Sequence, residues 1–545
     1  MYNNESKVIS GAMLLIGSAL ILSNNAQAIT QDEILANQVK TTAVETPKFW
    51  IDSGKASLDK ADRIANNKKK AKNVILFIGD GMGISTVTAS RIFEGQSLPG
   101  NRGGEEHSLS FEKFPHVALS KTYQVNQQTS DSAPTMSSMM TGVKTNDGEL
   151  SVGAIVPRGE LSGKVIDDNK TVTLLEQAED RGMSTGIIST ARITHATPAA
   201  CYAHISNRDW EADHRLPAGS SVRDIAYQLV NFHKTNLKSD GLEVALGGGR
   251  SYFMPDTMAD PEDTTSKGLR KDGVDLTAQW KSQYTNSAFV YDRSGWDKID
   301  ATKTDHLLGL FESTNHMEYE ADRLKDTGGE PSLTEMTEKA IQILKKNPKG
   351  FFLMVEAGRI DHAHHSGNAY RAITDTVELS KAVQKAVDMT DSAANDTLII
   401  VSADHSHTFT IAGYPQRGNP ILGLVTSPGK TKPDLAADGK PYATLSYANG
   451  GGYRTARPTL TASESILPVT PVAGQADVNI LDTMNPNFIQ EATVPTGFGS
   501  ETHAAEEVAI YAKGPRAYLF QGTQEQSYIY QVMAKALGIT PTVYK

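Results

Sequence analysis

Four short runs of unbroken apolar character constrain this chain more than any other feature: residues 74–78 (VILFI), 186–189 (GIIS), 351–355 (FFLMV) and 398–401 (LIIV). A strand that is apolar on both faces must be covered on both faces, as in a parallel sheet packed between helices. Helical periodicity lies between the runs. Val222, Ile225, Ala226, Leu229 and Val230 share one face, as do Met336, Ala340, Ile341 and Leu344. Near the end, Ile529, Val532, Met533, Ala536 and Leu537 repeat the pattern, with Gly538 placed to stop the helix. The alternation predicts an α/β three-layer sandwich, with a large, mostly parallel central sheet flanked by helices on both faces. A chain of 545 residues with 39% hydrophobic content has enough apolar surface for a large core, and its length allows two or three domains or, equally, one large α/β domain with insertions.

The first residues read as an export signal. Lys7 precedes an apolar stretch, and Ala26-Gln27-Ala28 matches a small-x-small cleavage pattern, so residues 1–28 are expected to be removed. An uncleaved membrane anchor is the alternative, but the apolar stretch is shorter than the roughly 20 residues a spanning helix needs, and no later segment is long and apolar enough to cross a bilayer. An exported protein, periplasmic or secreted and without a stable membrane anchor, is the expectation. Residues 29–72 form an N-terminal extension. Residues 73–426 and 501–545 carry the strand-helix alternation of a catalytic domain. Residues 427–500 are rich in Gly, Pro, Thr and Ala and read as an irregular insertion. A disordered loop is the alternative, but Tyr447, Tyr453, Ile466 and Phe488 give it apolar anchors. Cys201 is the single cysteine, so no intramolecular disulfide forms, and its apolar neighbours point to burial. The net charge of -10 argues against a nucleic-acid partner.

The acids and histidines fall just beyond the apolar runs, where α/β sheets bind ligands. Asp80 ends the first run inside a glycine-rich turn, for which an Asx-turn is the simpler reading. Glu356 ends the third run. Asp361 and His365 follow at a spacing of four, which puts them on one side of a helical turn. Asp404 and His405 end the fourth run, and His503 stands in Glu501-Thr502-His503. Each alone could be a cap or a core histidine. Together they point to two or more metal ions, and carboxylate with imidazole suits zinc. Ser132 precedes a small-residue helix that ends near Gly142. It reads as a helix N-cap and also as a nucleophile, since a helix N-terminus presents free amides to an oxyanion. His195 and Thr197 follow the second run. Arg208 can clamp two oxygens of a phosphate or simply join a surface ion pair.

As a set, these residues closely resemble the alkaline phosphatase family from about residue 73 to the C-terminus. The motifs are the turn at 79–83, residues 129–133, 191–200, LGGGR at 246–250, 356–365, Asp404-His405 and 501–503. The resemblance implies the following roles. Asp361, His365 and His503 hold a first Zn2+, and Asp80, Asp404 and His405 a second. Asp80, Thr197 and Glu356 hold Mg2+. Ser132 attacks phosphorus and forms a phosphoserine, Arg208 binds the non-bridging oxygens, and Asp131 orients Arg208. His195 and His362 stand where the enterobacterial branch carries Asp and Lys, as in the animal branch, and would border the magnesium site. A Ca2+ site of the animal branch is matched by Glu262, the Phe311 carbonyl, Glu312 and Glu330, with a surface ion-pair network as the alternative. Small phosphate monoesters are the implied substrates and a homodimer the implied assembly. The insertion corresponds to the family's interface (crown-like) subdomain. A phosphodiesterase or sulfuryl hydrolase of the same superfamily, and a phosphate-binding protein with a dead site, are the competing readings.

Overall fold

Val74, Leu76 and Ile78 enter one apolar core, while Ile75 and Phe77 enter another. All five are fully buried, as the unbroken run requires of a strand with helices on both sides. The structure is a computed structural model. It describes residues 45–545 apart from 99–102, 237, 392–394, 453–477, 498 and 543–545. The expected signal segment 1–28 lies outside the described residues, as do Tyr453 and Ile466.

The strands in chain order are β1 (Asn73–Gly79), β2 (His116–Lys121), β3 (Ser184–Arg192), β4 (Val244–Gly248), β5 (Ser287–Val290), β6 (His306–Leu310), β7 (Phe351–Ala357), β8 (Thr397–Ala403), β9 (Ser406–His407), β10 (Phe409–Ile411), β11 (Leu445–Gly450), β12 (Ala492–Pro495), β13 (His503–Ala504), β14 (Val508–Lys513) and β15 (Thr523–Glu525). Ten of them make one sheet in the order β15-β2-β14-β8-β1-β7-β3-β4-β6-β5. Every neighbouring pair is parallel except those of β14, which runs antiparallel to β8 and β2. The expected three-layer α/β architecture is therefore the observed one.

The helices that matter for the site are α1 (Pro47–Asp62), α2 (Ile84–Ser97), α3 (Ser132–Thr141), α4 (Ile225–Val230), α5 (Leu333–Leu344), α6 (Arg359–His365), α7 (Ala369–Thr390) and α8 (Tyr528–Leu537). Residues of α3, α4 and α8 fill the core on one sheet face; those of α5 and α7 fill the other. α5 starts at a capping box in which Ser332 and Glu335 exchange hydrogen bonds. α8 stops at Gly538 in the left-handed region, as its sequence announces. α4 begins three residues later than its apolar spacing suggests. Asp224 caps it by accepting from the Tyr227 amide at 2.8 Å, leaving Val222 buried outside the helix.

Within residues 427–500, β11 pairs with β12 on one side and on the other with β10, which comes from residues 409–411. Tyr447 of β11 is buried, and its hydroxyl lies 2.8 Å from Nδ1 of His364 in α6. This small sheet thus packs directly on the helix that carries Asp361 and His365. Cys201 is buried, as expected.

Candidate active site

Register brings the acids together. Gly79 pairs with Ala403, so Asp80 and Asp404 leave adjacent strands side by side. Glu356 lies level with Ile78 on one neighbour and Ser189 on the other, and the Ser189 hydroxyl donates to its Oε2. All of this lies at the carboxyl edge of β8, β1, β7 and β3. The turn after β1 must have glycine at 81: its φ is +67°, and a Cβ there would sit 2.3 Å from Nε2 of His407. Its amide donates to Asp404 Oδ1 at 3.0 Å.

Asp361 and His365 do share one side of α6, with Nε2 3.3 Å from Oδ1. The pairing of β13 with β9 sets His503 opposite His407 and delivers its Nε2 to within 3.3 Å of the same Oδ1. His365 donates from Nδ1 to the Glu501 carbonyl at 2.8 Å, and His503 from Nδ1 to the Ser130 carbonyl at 2.7 Å. In the neutral rings each Nε2 then carries a lone pair, and the two nitrogens face each other across 3.0 Å. Two lone pairs and a carboxylate converging on one point repel unless a cation lies among them. His405 repeats the arrangement, with Nε2 3.4 Å from Asp80 Oδ1 and 3.3 Å from Asp404 Oδ2.

Ser132 is the first residue of α3, and the N-cap is Asp131, whose carboxylate accepts from the Ala133 amide at 3.2 Å. The serine is thus free of the capping task that its sequence context suggested. Its Oγ lies 3.3 Å from Asp80 Oδ1 and 3.1 Å from His405 Nε2. Arg208 donates from Nη1 to Asp131 and from Nη2 to His195 Nε2 at 2.9 Å. His195 then holds its proton on Nδ1, which is buried without a partner. Asp80 Oδ2, Asp404 Oδ2, Glu356 Oε1 and Thr197 Oγ1 are likewise buried without hydrogen-bond partners among the described residues. Burial of so many unpaired oxygens is costly, and this donor set fits metal ions. Atoms of Asp80, Asp404 and His405 lie within 4.8 Å of one another, as do those of Asp80, His195 and Glu356.

The titrations agree with that crowding. Burial, and then repulsion from Asp404, Asp361 and Glu356, raises Asp80 well above the usual carboxylate range. Burial raises Glu356 to about 7. Burial, then Arg208 and Arg192, holds His195 well below the ordinary imidazole value; burial and then Arg359 do the same to His362.

The residues matched to a calcium site also meet. Burial, followed by Asp326, Glu318 and Glu262, raises Glu312 to about 8. Glu330 is buried and raised by burial and Glu312, and its Oε2 has no hydrogen-bond partner among the described residues. The Phe311 carbonyl accepts from Arg250 at 3.2 Å, and Glu262 pairs with the same guanidinium at 2.8 Å. Asp326 and Glu318 are additions that the sequence did not single out.

Three further side chains went unread in the sequence. His407 bridges Asp361 Oδ1 at 2.8 Å and Glu501 Oε2 at 2.6 Å. Burial opposes its charge, yet Glu501 and Asp361 together raise it to about 10. The spacing of two from His405, and of Glu501 from His503, was the available signal. His316 packs on His362, with ring centroids 3.9 Å apart, and carried no signal at all.

The family model for alkaline phosphatase matches residues 71–539. The chain is 42% identical over 516 residues to the tissue-nonspecific alkaline phosphatase of Homo sapiens, covering 93% of this chain and 91% of that protein. It is 41% identical over 502 residues to an alkaline phosphatase of Gadus morhua, covering 90% and 97%. The alkaline phosphatase of Thermus thermophilus superposes with a TM-score of 0.60 at 22% identity, over 88% of this chain and 93% of that one. That from the Antarctic bacterium TAB5 gives 0.55 at 21%, over 87% and 99%. The two structures share the fold.

Proposed function

The chain belongs to the alkaline phosphatase family, and from that premise we propose that it hydrolyses phosphate monoesters by in-line attack of Ser132, through a phosphoserine, at a centre of two Zn2+ and one Mg2+. One observation carries this reading: Ser132 Oγ lies beside Asp80 and His405, at the meeting point of buried donors that have no partners of their own.

Asp361, His365 and His503 would hold the first zinc, Asp80, Asp404 and His405 the second, and Asp80, Thr197 and Glu356 the magnesium. Bound there, the cations neutralise the transferring phosphoryl group and lower the pKa of the serine hydroxyl and of water. The chain supplies the rest. Ser132 stands at the N-terminus of α3, where the helix dipole favours the negative phosphoryl group. Arg208 offers a fork to two of them, held in place by Asp131. His195 fixes the other edge of that fork. Asp80 Oδ1 and His405 Nε2 both face the hydroxyl that must lose its proton on attack.

A clamp for two oxygens beside a third cation favours a dianionic monoester over a diester. Chromogenic mono- and diesters at equal concentration test this, and we expect the monoester to be cleaved far faster. A preference for the diester would overturn the reading.

His195 and His362 tune product release in this proposal. Both are held neutral, so they attract phosphate less than an ammonium would. The double change His195→Asp with His362→Lys is expected to tighten inhibition by phosphate about tenfold and to slow alkaline turnover where release limits it. An unchanged inhibition constant in a fully metal-loaded variant would sink the idea.

Burial, and then repulsion from neighbouring carboxylates, raises Glu312 and Glu330, and this gathering of Glu262, Glu312, Glu330 and Asp326 supports a Ca2+ site. Export with loss of residues 1–28 is part of the proposal; among the described residues no helix is long and apolar enough to cross a membrane. Helix α1 supports a homodimer. It buries none of its residues, and Phe49, Trp50, Ile51 and Leu58 are all exposed on it. Sedimentation should give twice the chain mass, and a monomer at micromolar concentration would count against it.

A further inference from the structure

His316 comes from the segment after β6, far from the metal-centre residues in sequence, and stands against the phosphate side of the site. Its ring lies on His362 and meets His195 edge-on, with centroids 5.2 Å apart. Nδ1 accepts from the Arg192 amide at 3.1 Å. The Arg192 guanidinium grips Glu211 at 2.8 and 2.9 Å, and Glu211 accepts from the Thr194 hydroxyl at 2.6 Å. Thr194 precedes His195, which accepts from Arg208. A continuous set of contacts therefore runs from His316 to the arginine that would grip phosphate.

The LGGGR motif accounts for how His316 arrives. Gly248 ends β4, and a Cβ there would lie 2.5 Å from the Asn315 carbonyl and 3.1 Å from the Met317 amide. Only glycine lets the segment pass so close. The amides of Gly249 and Arg250 both donate to the Glu312 carbonyl, at 3.0 and 2.8 Å, and the Met317 amide donates to Thr190 of β3 at 3.0 Å. The segment is stitched at both ends, with His316 between.

We propose that His316 is a positioning residue of the phosphate site: packed against His362, edge-on to His195 and bonded to the Arg192 backbone, it sets how tightly Arg208 and the histidine pair hold phosphate. This rests on the phosphatase reading. The test uses metal-replete protein, with zinc and magnesium counted by elemental analysis. Calorimetry gives the dissociation constant for inorganic phosphate, and steady-state kinetics on an aryl phosphate give kcat and KM. His316→Ala is expected to weaken phosphate binding about tenfold and to raise KM in step, while kcat changes much less. His316→Asn keeps an acceptor for the Arg192 amide and should recover part of the loss; it also carries the test if the alanine variant fails to fold. Phosphate affinity within twofold of wild type in His316→Asn and in any folded His316→Ala, whatever happens to the melting temperature, would assign His316 to packing alone and overturn the proposal. A wild-type protein that neither binds phosphate nor cleaves monoesters would instead refute the phosphatase reading, before any variant is made.

Discussion

Ser132→Ala is expected to abolish the phosphoenzyme and to lower kcat by roughly 10^3-fold or more, about 4 kcal/mol of lost transition-state stabilisation. The serine leads α3 with its hydroxyl beside Asp80 and His405, so its removal takes away the nucleophile and leaves the helix cap on Asp131 untouched. The fold and the metal donors should survive, and residual activity should remain, because water can be activated at the same centre. Acid quench with labelled phosphate, followed by peptide mapping, checks both halves. Wild type should carry label on the peptide containing Ser132, and the variant none. Label on another residue would refute the assignment, and so would a variant of near-normal rate.

Chelation of the metals is expected to abolish activity and to lower thermal stability together, with zinc plus magnesium restoring both. Each ion bound a thousandfold above its Kd contributes about 4 kcal/mol by mass action, and the chain has no disulfide to fall back on. The metal-free protein should also hold protons that the metals displace. Asp80 and Asp404 are raised, mainly by burial, and Glu356 is raised to about 7. The metal-free site therefore keeps protons on these carboxylates above the ordinary carboxylate range near 4, whereas His195, His362 and His405, lowered mainly by burial, are already neutral. Cations take deprotonated carboxylates, so loading the metal-free protein at about pH 6 should release protons, and metal affinity should rise with pH through that window. Loading in weak buffer with a pH indicator checks this, and loading without proton release would count against it. Undiminished activity in protein shown by elemental analysis to hold no metal would refute the metal model outright.

Helix and strand identity were read correctly where one local rule dominates. β1, β7 and β8 are legible because a strand buried on both faces tolerates no polar alternation, and α8 because its apolar face and terminal Gly538 agree. α4 was misjudged at its start, since a single side chain, Asp224, decides where the amides begin to pair. Ser132 was misjudged as a cap because Asp and Ser are equally good caps, and only the backbone shows which one is used.

The candidate ligands Asp80, Glu356 and Asp404 were legible for a chemical reason: a carboxylate directly after an apolar run has few purposes other than binding something at the sheet edge. His407, Glu501 and His316 were not. Their importance lies in what they meet, and the partners are remote in sequence: Glu501 and His407 are brought together by β13 pairing with β9, and His316 reaches His362 only because Gly248 has no side chain. By itself the sequence determined the layers and pointed to the acids and histidines at the strand ends and to a candidate nucleophile, because periodicity and motif spacing are local properties of a chain. The strand order β8-β1-β7-β3, the register that sets Asp80 beside Asp404, and the third imidazole behind the phosphate site were decided by tertiary structure. They depend on which distant surfaces pack and on which backbone positions leave room, and neither is written in any single segment.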